Sequence, residues 1–175
     1  MLLKRLKTLA FLVLCLQLFH SGLNAQTTPL KMMSYNIRCD AKVDEDNGWG
    51  WSRRKQPVCD LIRLMEPDLL GLQEVQYHQL QFIESQFPDY AWVGKGRDDG
   101  DKAGEFSPIF YNKDKFKLIG SGTFWLSETP EKIGSKGWDA ALPRVCTWVK
   151  LKHKSSGKII VHFNTHFDHI GKIAR

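Results

Sequence analysis

Apolar and polar residues follow two different periods along the first half of the chain. Two short apolar runs, residues 30–38 and 69–72, predict β-strands. Between the runs, apolar side chains recur at intervals of three and four residues: Val58, Leu61, Ile62 and Met65. This spacing predicts a helix that Ser52 caps and that holds Pro57 in its first turn or at a kink. A second helix is predicted over residues 77–87.

The second half of the chain is predicted to be rich in strands, at residues 90–93, 108–111, 116–126, 144–152 and 158–165. The last two of these segments flank a Lys-Ser-Ser-Gly turn, so together they predict a hairpin. Polar, glycine-containing segments at residues 94–104 and 127–143 are predicted to be loops. Strand–helix–strand–helix followed by strands predicts an α/β layered sandwich.

The first 25 residues have the pattern of a secretory signal peptide. Three basic residues precede a mostly apolar run at residues 8–19, and Ala25 supplies a small residue at the expected cleavage position. The apolar run is shorter than the roughly 20 residues that a membrane-spanning helix needs. We therefore expect an exported protein, periplasmic or extracellular, with a single domain over residues 26–175 and no membrane span in the mature chain.

Removal of that segment changes the charge and the cysteine count. The formal net charge falls from +6 to +3, because the segment holds three basic residues and no acidic ones. A charge of +3 does not by itself indicate a nucleic-acid partner. Cys39, Cys59 and Cys146 remain. They lack metal-ligand spacing and are interpreted as small buried hydrophobes, although an oxidising compartment would permit one disulfide.

Polar side chains with metal-binding chemistry stand at the ends of the first two predicted strands. Asn36 closes the first strand and Glu74 follows the second. In layered α/β folds, functional side chains collect at strand ends, and amide and carboxylate oxygens suit Mg²⁺, Mn²⁺ or Ca²⁺. A solvated surface charge remains the alternative interpretation of Glu74 alone.

The last predicted strand runs into a segment with two histidines and one aspartate, His166, Asp168 and His169. Three interpretations fit it: a polar surface turn, a transition-metal site, or phosphoryl-transfer chemistry in which an imidazole donates to a phosphate oxygen. In the third interpretation Glu105 orients that imidazole. Arg144 then binds a phosphate bidentately, with a structural ion pair as its alternative.

Several segments together resemble a known family. They are SYNIR at 34–38, DLLGLQEV at 68–75, GE at 104–105, PIFY at 108–111, TFWLSETP at 123–130, GWDA at 137–140, RVCTW at 144–148 and NTHFDH at 164–169. In this order they resemble the endonuclease/exonuclease/phosphatase superfamily, the DNase I-like fold, and are most similar to its secreted bacterial branch. The resemblance implies a four-layered α/β sandwich and divalent-metal-dependent hydrolysis of phosphate esters.

The resemblance also implies roles for individual residues. Glu74 resembles the metal-holding glutamate of the family, Asn36 the asparagine at the metal and phosphate, and His166 the histidine that contacts the phosphate. We assign catalysis to His166, Asn36 and Glu105, metal binding to Glu74 and Asn36, and substrate binding to Arg144, Tyr111, Asp168 and His169. The implied cofactor is Mg²⁺, with Mn²⁺ or Ca²⁺ as alternatives.

The same resemblance implies two further segments, Gly-Asp-Phe-Asn and Ser-Asp-His, which the 175 residues do not contain. We therefore expect a C-terminally truncated chain that holds the N-terminal half to two-thirds of the sandwich and is inactive or impaired as a phosphoesterase. The alternative is a non-catalytic phosphate- or metal-binding protein, or a vestigial fragment. The implied substrate is a nucleic acid, an inositol phosphate or a phospholipid headgroup, and no stable protein partner is implied.

Overall fold

The computed structural model describes residues 29–175, so the predicted signal peptide at residues 1–25 lies outside the described part of the chain. The strands are β1 Met32–Asn36, β2 Leu69–Gln73, β3 Tyr90–Val93, β4 Ile109–Asn112, β5 Phe116–Trp125, β6 Val145–His153 and β7 Ile159–Thr165. The helices are α1 Lys42–Asp46, α2 Trp51–Met65 and α3 Tyr77–Gln86. All the strands predicted from the sequence are confirmed, with small differences at their ends.

Helix α2 differs in its details from the prediction. It begins at Trp51 with Gly50 as N-cap, so Ser52 lies inside the helix and its hydroxyl donates to Glu45 instead of capping. Pro57 lies inside the helix, beyond its first turn. Proline has no N–H, so the carbonyl of Arg53, four residues earlier, loses its helical hydrogen bond. Both Pro57 and Arg53 are exposed, so that carbonyl can bond to water. The apolar face predicted from the spacing packs inward through Val58 and Ile62, whereas its other two members, Leu61 and Met65, are exposed.

The first sheet has the strand order β1-β2-β4-β3. β1 and β2 are parallel, and Asn36 pairs with Gln73 at their carboxyl ends. β4 runs antiparallel to both β2 and β3. Helices α2 and α3 cover one side of this sheet, where their apolar side chains form a core with Leu70, Leu72 and Phe110.

The second sheet is antiparallel, with the order β5-β6-β7, and contains the predicted hairpin. A second hydrophobic cluster lies where the two sheets face each other; its buried members are Leu69, Ile109, Tyr111, Phe116, Val149 and Leu151. The described residues thus form three consecutive layers, helices, sheet and sheet. The predicted fold class, an α/β sandwich of the DNase I-like type, is confirmed.

A polar side chain also crosses between the sheets. Asn164, on β7, donates from Nδ2 to the carbonyls of Leu72 at 2.7 Å and Pro108 at 2.9 Å. Its Oδ1 accepts a hydrogen bond of 2.6 Å from Gln73 Nε2. Because Asn164 is the residue two positions before His166, these bonds fix the end of β7 against the ends of β2 and β4.

The described residues provide two further observations about the chain. None of the helices within residues 29–175 has the length and apolar character needed to cross a membrane. Cys39, Cys59 and Cys146 are free thiols, and Cys59 and Cys146 are buried as expected for small hydrophobes.

Candidate functional site

Asn36 and Glu74 lie side by side because β1 and β2 are parallel. Asn36 is the last residue of β1, and Glu74 directly follows β2 in a left-handed backbone conformation, with φ of 58°. Parallel strands bring their carboxyl ends to the same edge of a sheet. Asn36 Nδ2 donates a hydrogen bond of 2.7 Å to Glu74 Oε1.

Both oxygens of the Glu74 carboxylate are held in place. In addition to the bond from Asn36 to Oε1, the Cys39 N–H donates to Oε2 at 3.2 Å. Burial raises the pKa of Glu74, but these two hydrogen bonds and the nearby His166 outweigh burial and hold the pKa below its ordinary value. Glu74 is therefore an ionised, oriented carboxylate.

The amide of Asn36 has both of its ends engaged. Its Oδ1 accepts from the Arg38 N–H at 2.9 Å, while its Nδ2 faces Glu74. An N–H partner requires the amide oxygen and a carboxylate partner requires the amide nitrogen, so the two contacts fix the orientation. In this arrangement Asn36 orients Glu74, and its Oδ1 accepts one hydrogen bond and keeps a second lone pair, so its assignment as a metal ligand stays a prediction.

His166 follows the end of β7 and faces the same carboxylate. Its Nε2 lies 4.0 Å from Glu74 Oε1. Burial, followed by the positive charge of Arg144, lowers the pKa of His166 below its ordinary value. The structure therefore brings Asn36, Glu74 and His166 together, although they are separated by up to 130 positions in the sequence.

Arg144 connects both histidines to Asp168. It is buried, and its Nε donates to Asp168 Oδ1 at 3.1 Å. Its Nη2 lies 2.9 Å from Nδ1 of His169, and its Nη1 lies 3.5 Å from Nδ1 of His166. Arginine can only donate, so both Nδ1 atoms accept and each neutral ring carries its proton on Nε2. The proton of His166 consequently points toward Glu74.

Asp168 is a structural anchor of this group rather than an exposed substrate ligand. It is buried, and its Oδ2 accepts from the N–H groups of Ile170 at 3.0 Å and Gly171 at 2.6 Å. The N–H group of Gly171 is the main cause of a pKa of Asp168 well below its ordinary value, and Ile170 and Arg144 add to it. Arg144 therefore forms the ion pair that the sequence left open as its alternative role.

Glu105 binds a residue that the sequence did not single out. Its Oε2 accepts a hydrogen bond of 2.7 Å from Arg97 Nη1. The carboxylate thus binds Arg97 rather than the imidazole of His166, and Arg144 is the residue that orients that imidazole. Arg97 was missed because its segment, residues 94–104, with four glycines and several charges, has the composition of an exposed loop.

A small pocket opens at this place. It is lined by Arg97, Glu105, Phe106, Ser107, Arg144, Val145 and His166. Two arginines and an imidazole with an available N–H thus line one cavity. Guanidinium and imidazole donors in a restricted space are suited to the oxygens of a phosphate or a similar anion.

Tyr111 is not part of this pocket, which corrects its assignment to substrate binding. It pairs with Leu69 at the far end of β2 from Glu74, and only 8% of its surface is exposed. At about 3.3 Å per residue, five positions along a strand correspond to about 16 Å. Tyr111 packs between the two sheets, and burial raises the pKa of its hydroxyl.

The donor set at Glu74 fits a small hard cation such as Mg²⁺. Residues 29–175 contain no group of three or more His, Cys, Asp and Glu side chains that converge as a metal cage. Mg²⁺ is commonly bound by one or two carboxylates, with water and substrate phosphate completing its coordination. Each oxygen of Glu74 accepts one hydrogen bond and keeps a lone pair for a cation.

Comparison with known proteins agrees with this fold. Residues 33–140 match the Endonuclease/Exonuclease/phosphatase family, and the chain belongs to that family. An endonuclease/exonuclease/phosphatase from Bacteroides vulgatus is 44% identical, with a TM-score of 0.80 over 85% of this chain and 56% of that one. A mannosyl-6-phosphatase from Bacteroides thetaiotaomicron is also 44% identical, with a TM-score of 0.80 over 83% of this chain and 54% of that one.

The chain is also similar, more distantly, to a viral protein. An uncharacterized protein of Acanthamoeba polyphaga mimivirus is 25% identical over 146 residues, which is 79% of this chain and 54% of the viral one. The chain therefore spans about half the length of each of these relatives.

Proposed function

We propose that the protein acts in divalent-cation-dependent hydrolysis of phosphate esters, with the phosphate bound between Glu74, His166 and the two arginines. The observation that carries this proposal is the pairing of an ionised, doubly hydrogen-bonded Glu74 with Nε2 of His166 at 4.0 Å. A carboxylate that can bind a cation, placed beside a neutral imidazole that can donate a hydrogen bond, suits a reacting phosphate.

Each residue has a defined part in this proposal. Glu74 would hold a divalent cation, whose charge would offset the charge growing on the phosphate. Asn36 and the Cys39 N–H keep the Glu74 carboxylate in place. His166 donates its Nε2–H to a phosphate oxygen, and Arg144 keeps the ring in the required tautomer.

The substrate is a phosphate ester of a class that the family membership leaves open. Nucleic acids, inositol phosphates and phospholipid headgroups are the candidates from the sequence, and the similarity to a mannosyl-6-phosphatase adds sugar phosphates. Four tryptophans near loops are candidates for stacking on a base or sugar, and two of them, Trp51 and Trp125, are buried in the core. Trp49 and Trp138 are exposed and keep that possibility.

We further propose that the protein is exported and belongs to the secreted bacterial branch of the family. The support is the order of basic, apolar and small residues in residues 1–25. Fusion of residues 1–25 to a reporter enzyme that is active only outside the cytoplasm would test this. We expect reporter activity, and a fusion that stays inactive would contradict export.

One observation favours a second candidate, a protein that binds cation and phosphate without turnover. The carboxylate that lines the pocket, Glu105, is engaged by Arg97. The two beside its arginine and histidine are engaged as well, Glu74 by Asn36 and Cys39 and Asp168 by Arg144. Within residues 29–175 no carboxylate of the site is therefore free to act as the general base for an attacking water.

An assay of the purified protein separates the two candidates. Hydrolysis of p-nitrophenyl phosphate and bis-p-nitrophenyl phosphate would be measured with Mg²⁺ and with EDTA. Glu74→Gln keeps the shape of the side chain and removes its charge. We expect the substitution to lower the Mg²⁺-dependent rate about 100-fold, the scale of losing one charge-stabilising contact at a reacting centre.

Glu84→Gln, at an exposed position of α3, is the matched control and should leave the rate unchanged. Absence of turnover, together with phosphate binding that requires both Mg²⁺ and Glu74, would support the second candidate. Turnover that is unaffected by EDTA and by Glu74→Gln would contradict cation-dependent hydrolysis at this site.

A further inference from the structure

Arg97 is a buried arginine whose hydrogen-bonding capacity is only partly used. Only 9% of its surface is exposed, and its Nη1 donates to Glu105. Its Nε is buried without a hydrogen-bond partner, and the nearest carboxylate oxygen, Oδ1 of Asp98, lies 3.8 Å away. A guanidinium has five N–H donors, so the single bond to Glu105 leaves most of them available.

The backbone around Arg97 is fixed on both sides. The Trp125 indole Nε1–H donates to the Arg97 carbonyl at 2.7 Å, and the Arg97 N–H donates to the Glu105 carbonyl at 3.2 Å. Gly104 has φ of +80°, and a Cβ there would lie 2.5 Å from the Asp98 carboxylate, so this turn requires glycine. The arginine is therefore preorganised rather than a mobile surface side chain.

The position of Arg97 in the pocket is distinct from the positions of the other donors. It lines the same cavity as Arg144 and His166. Arg144 uses its donors on Asp168, His166 and His169, whereas the Arg97 guanidinium makes one hydrogen bond, to Glu105, and a longer ion pair with Asp98. Arg97 is therefore the guanidinium of the pocket with the most uncommitted donors.

From this arrangement we infer that Arg97 is a specificity-determining residue that binds the third terminal oxygen of a phosphate monoester dianion. The inference rests on the proposed function and narrows its substrate class. A cation held by Glu74 would take one terminal oxygen, and Nε2–H of His166 would donate to a second. A monoester has a third terminal oxygen, whereas a diester has only two, so the donors of Arg97 select the monoester.

Binding of two esters that differ by one methyl group tests the inference without any turnover. Methyl phosphate and dimethyl phosphate would be titrated into the protein with Mg²⁺ at pH 8, where the monoester is mostly a dianion because its second pKa is about 6. Affinities would be read from NMR shifts. We expect at least about tenfold tighter binding of methyl phosphate, the scale of one hydrogen bond between charged groups.

Arg97→Met removes the donors and should weaken methyl phosphate binding about tenfold, with dimethyl phosphate affected less than about twofold. Arg63→Met is the matched control, because Arg63 also pairs with a carboxylate, Asp60, but lies on α2 outside the pocket. The inference would be overturned if Arg97→Met weakened the binding of both esters equally or left the affinity for methyl phosphate unchanged. It would also be overturned if the unmodified protein did not bind methyl phosphate.

A second measurement does not depend on the folding of a variant. In the unmodified protein, the guanidinium N–H signals of Arg97 should shift when methyl phosphate is added and stay in place with dimethyl phosphate. The same response to both esters would overturn the inference. Both titrations measure binding, so an absence of cation-dependent hydrolysis would contradict the proposed function and not this inference. A protein that discriminates between the two esters without turnover would support the role of Arg97 in specificity and contradict catalysis.

Discussion

Gly71 in the first sheet and Asn164 in the second sheet fit together because position 71 has no side chain. A Cβ atom there would lie 2.7 Å from Asn164 Oδ1. Asn164 cannot easily move away, since its amide is held by Gln73 and by the carbonyls of Leu72 and Pro108. The contact between the two sheets beside the functional site therefore depends on a glycine.

Gly71→Ala should destabilise the protein through this contact. Overpacking of a well-packed interior costs about 1–3 kcal/mol, and we expect a loss in that range in the free energy of unfolding measured with urea. Gly120→Ala, on β5, is the control because its Cβ would meet its nearest neighbours at 3.5 Å, an ordinary contact. Equal stability of the two variants would show that the sheets can separate without cost.

Asn164→Ala should destabilise the protein by a different mechanism. The substitution removes the hydrogen bond to the Leu72 carbonyl in a buried place, and Gln73 loses its shortest contact, while the Pro108 carbonyl keeps its bond of 3.0 Å from the Leu72 N–H. An unsatisfied buried polar group costs about 1–3 kcal/mol, and we expect a loss in that range. Asn47→Ala removes one exposed bond to Val43 and should change stability by less than about 0.5 kcal/mol. A loss at Asn164 no larger than at Asn47 would contradict the role of the amide.

Arg144 and Asp168 should be strongly coupled in stability. Arg144→Met leaves the buried Asp168 carboxylate without its cationic partner, so the melting temperature should fall. Asp168→Asn combined with Arg144→Met also removes the carboxylate charge. The double variant should therefore lose less free energy of unfolding than the sum of the losses of the two single variants. A double-mutant cycle in urea measures the coupling, and strictly additive effects would show that the ion pair contributes nothing.

His162 should make the stability depend on pH. It lies on β7, its Nε2 is buried without a partner, and burial lowers its pKa below the ordinary value of about 6.5. The unfolded chain therefore binds a proton more readily than the folded one, and stability should fall as the pH drops below about 6.5.

His162→Leu should flatten this dependence between pH 7.5 and 5.5, measured as melting temperature against pH. The pKa of His166 is also lowered, so a smaller slope of the same sign should remain. His153→Gln, at a more exposed site near the hairpin turn, is the control and should keep the full slope. An unchanged slope in His162→Leu would contradict the assignment.

The amino-acid sequence by itself determined the order of the elements, except for the short helix α1, and one side of the site. Periodicity sufficed for the helix packed through Val58 and Ile62 and for every strand, because each depends on neighbours near in the chain. It also placed Asn36 and Glu74 correctly, since residues at the carboxyl ends of two parallel neighbouring strands must meet. For His166, the sequence offered a chemistry and named Glu105 as the partner of its ring, whereas the structure places Arg144 at that ring and Glu105 on Arg97.

Tertiary structure decided how those groups are used. Arg97 has the local sequence of an exposed loop, and only its contacts with Glu105 and Trp125 bury it at the pocket. Tyr111 matches a family motif, yet the register of β4 against β2 places it in the core. These outcomes depend on residues distant in the chain that meet only when two sheets pack together, and local periodicity carries no information about such contacts.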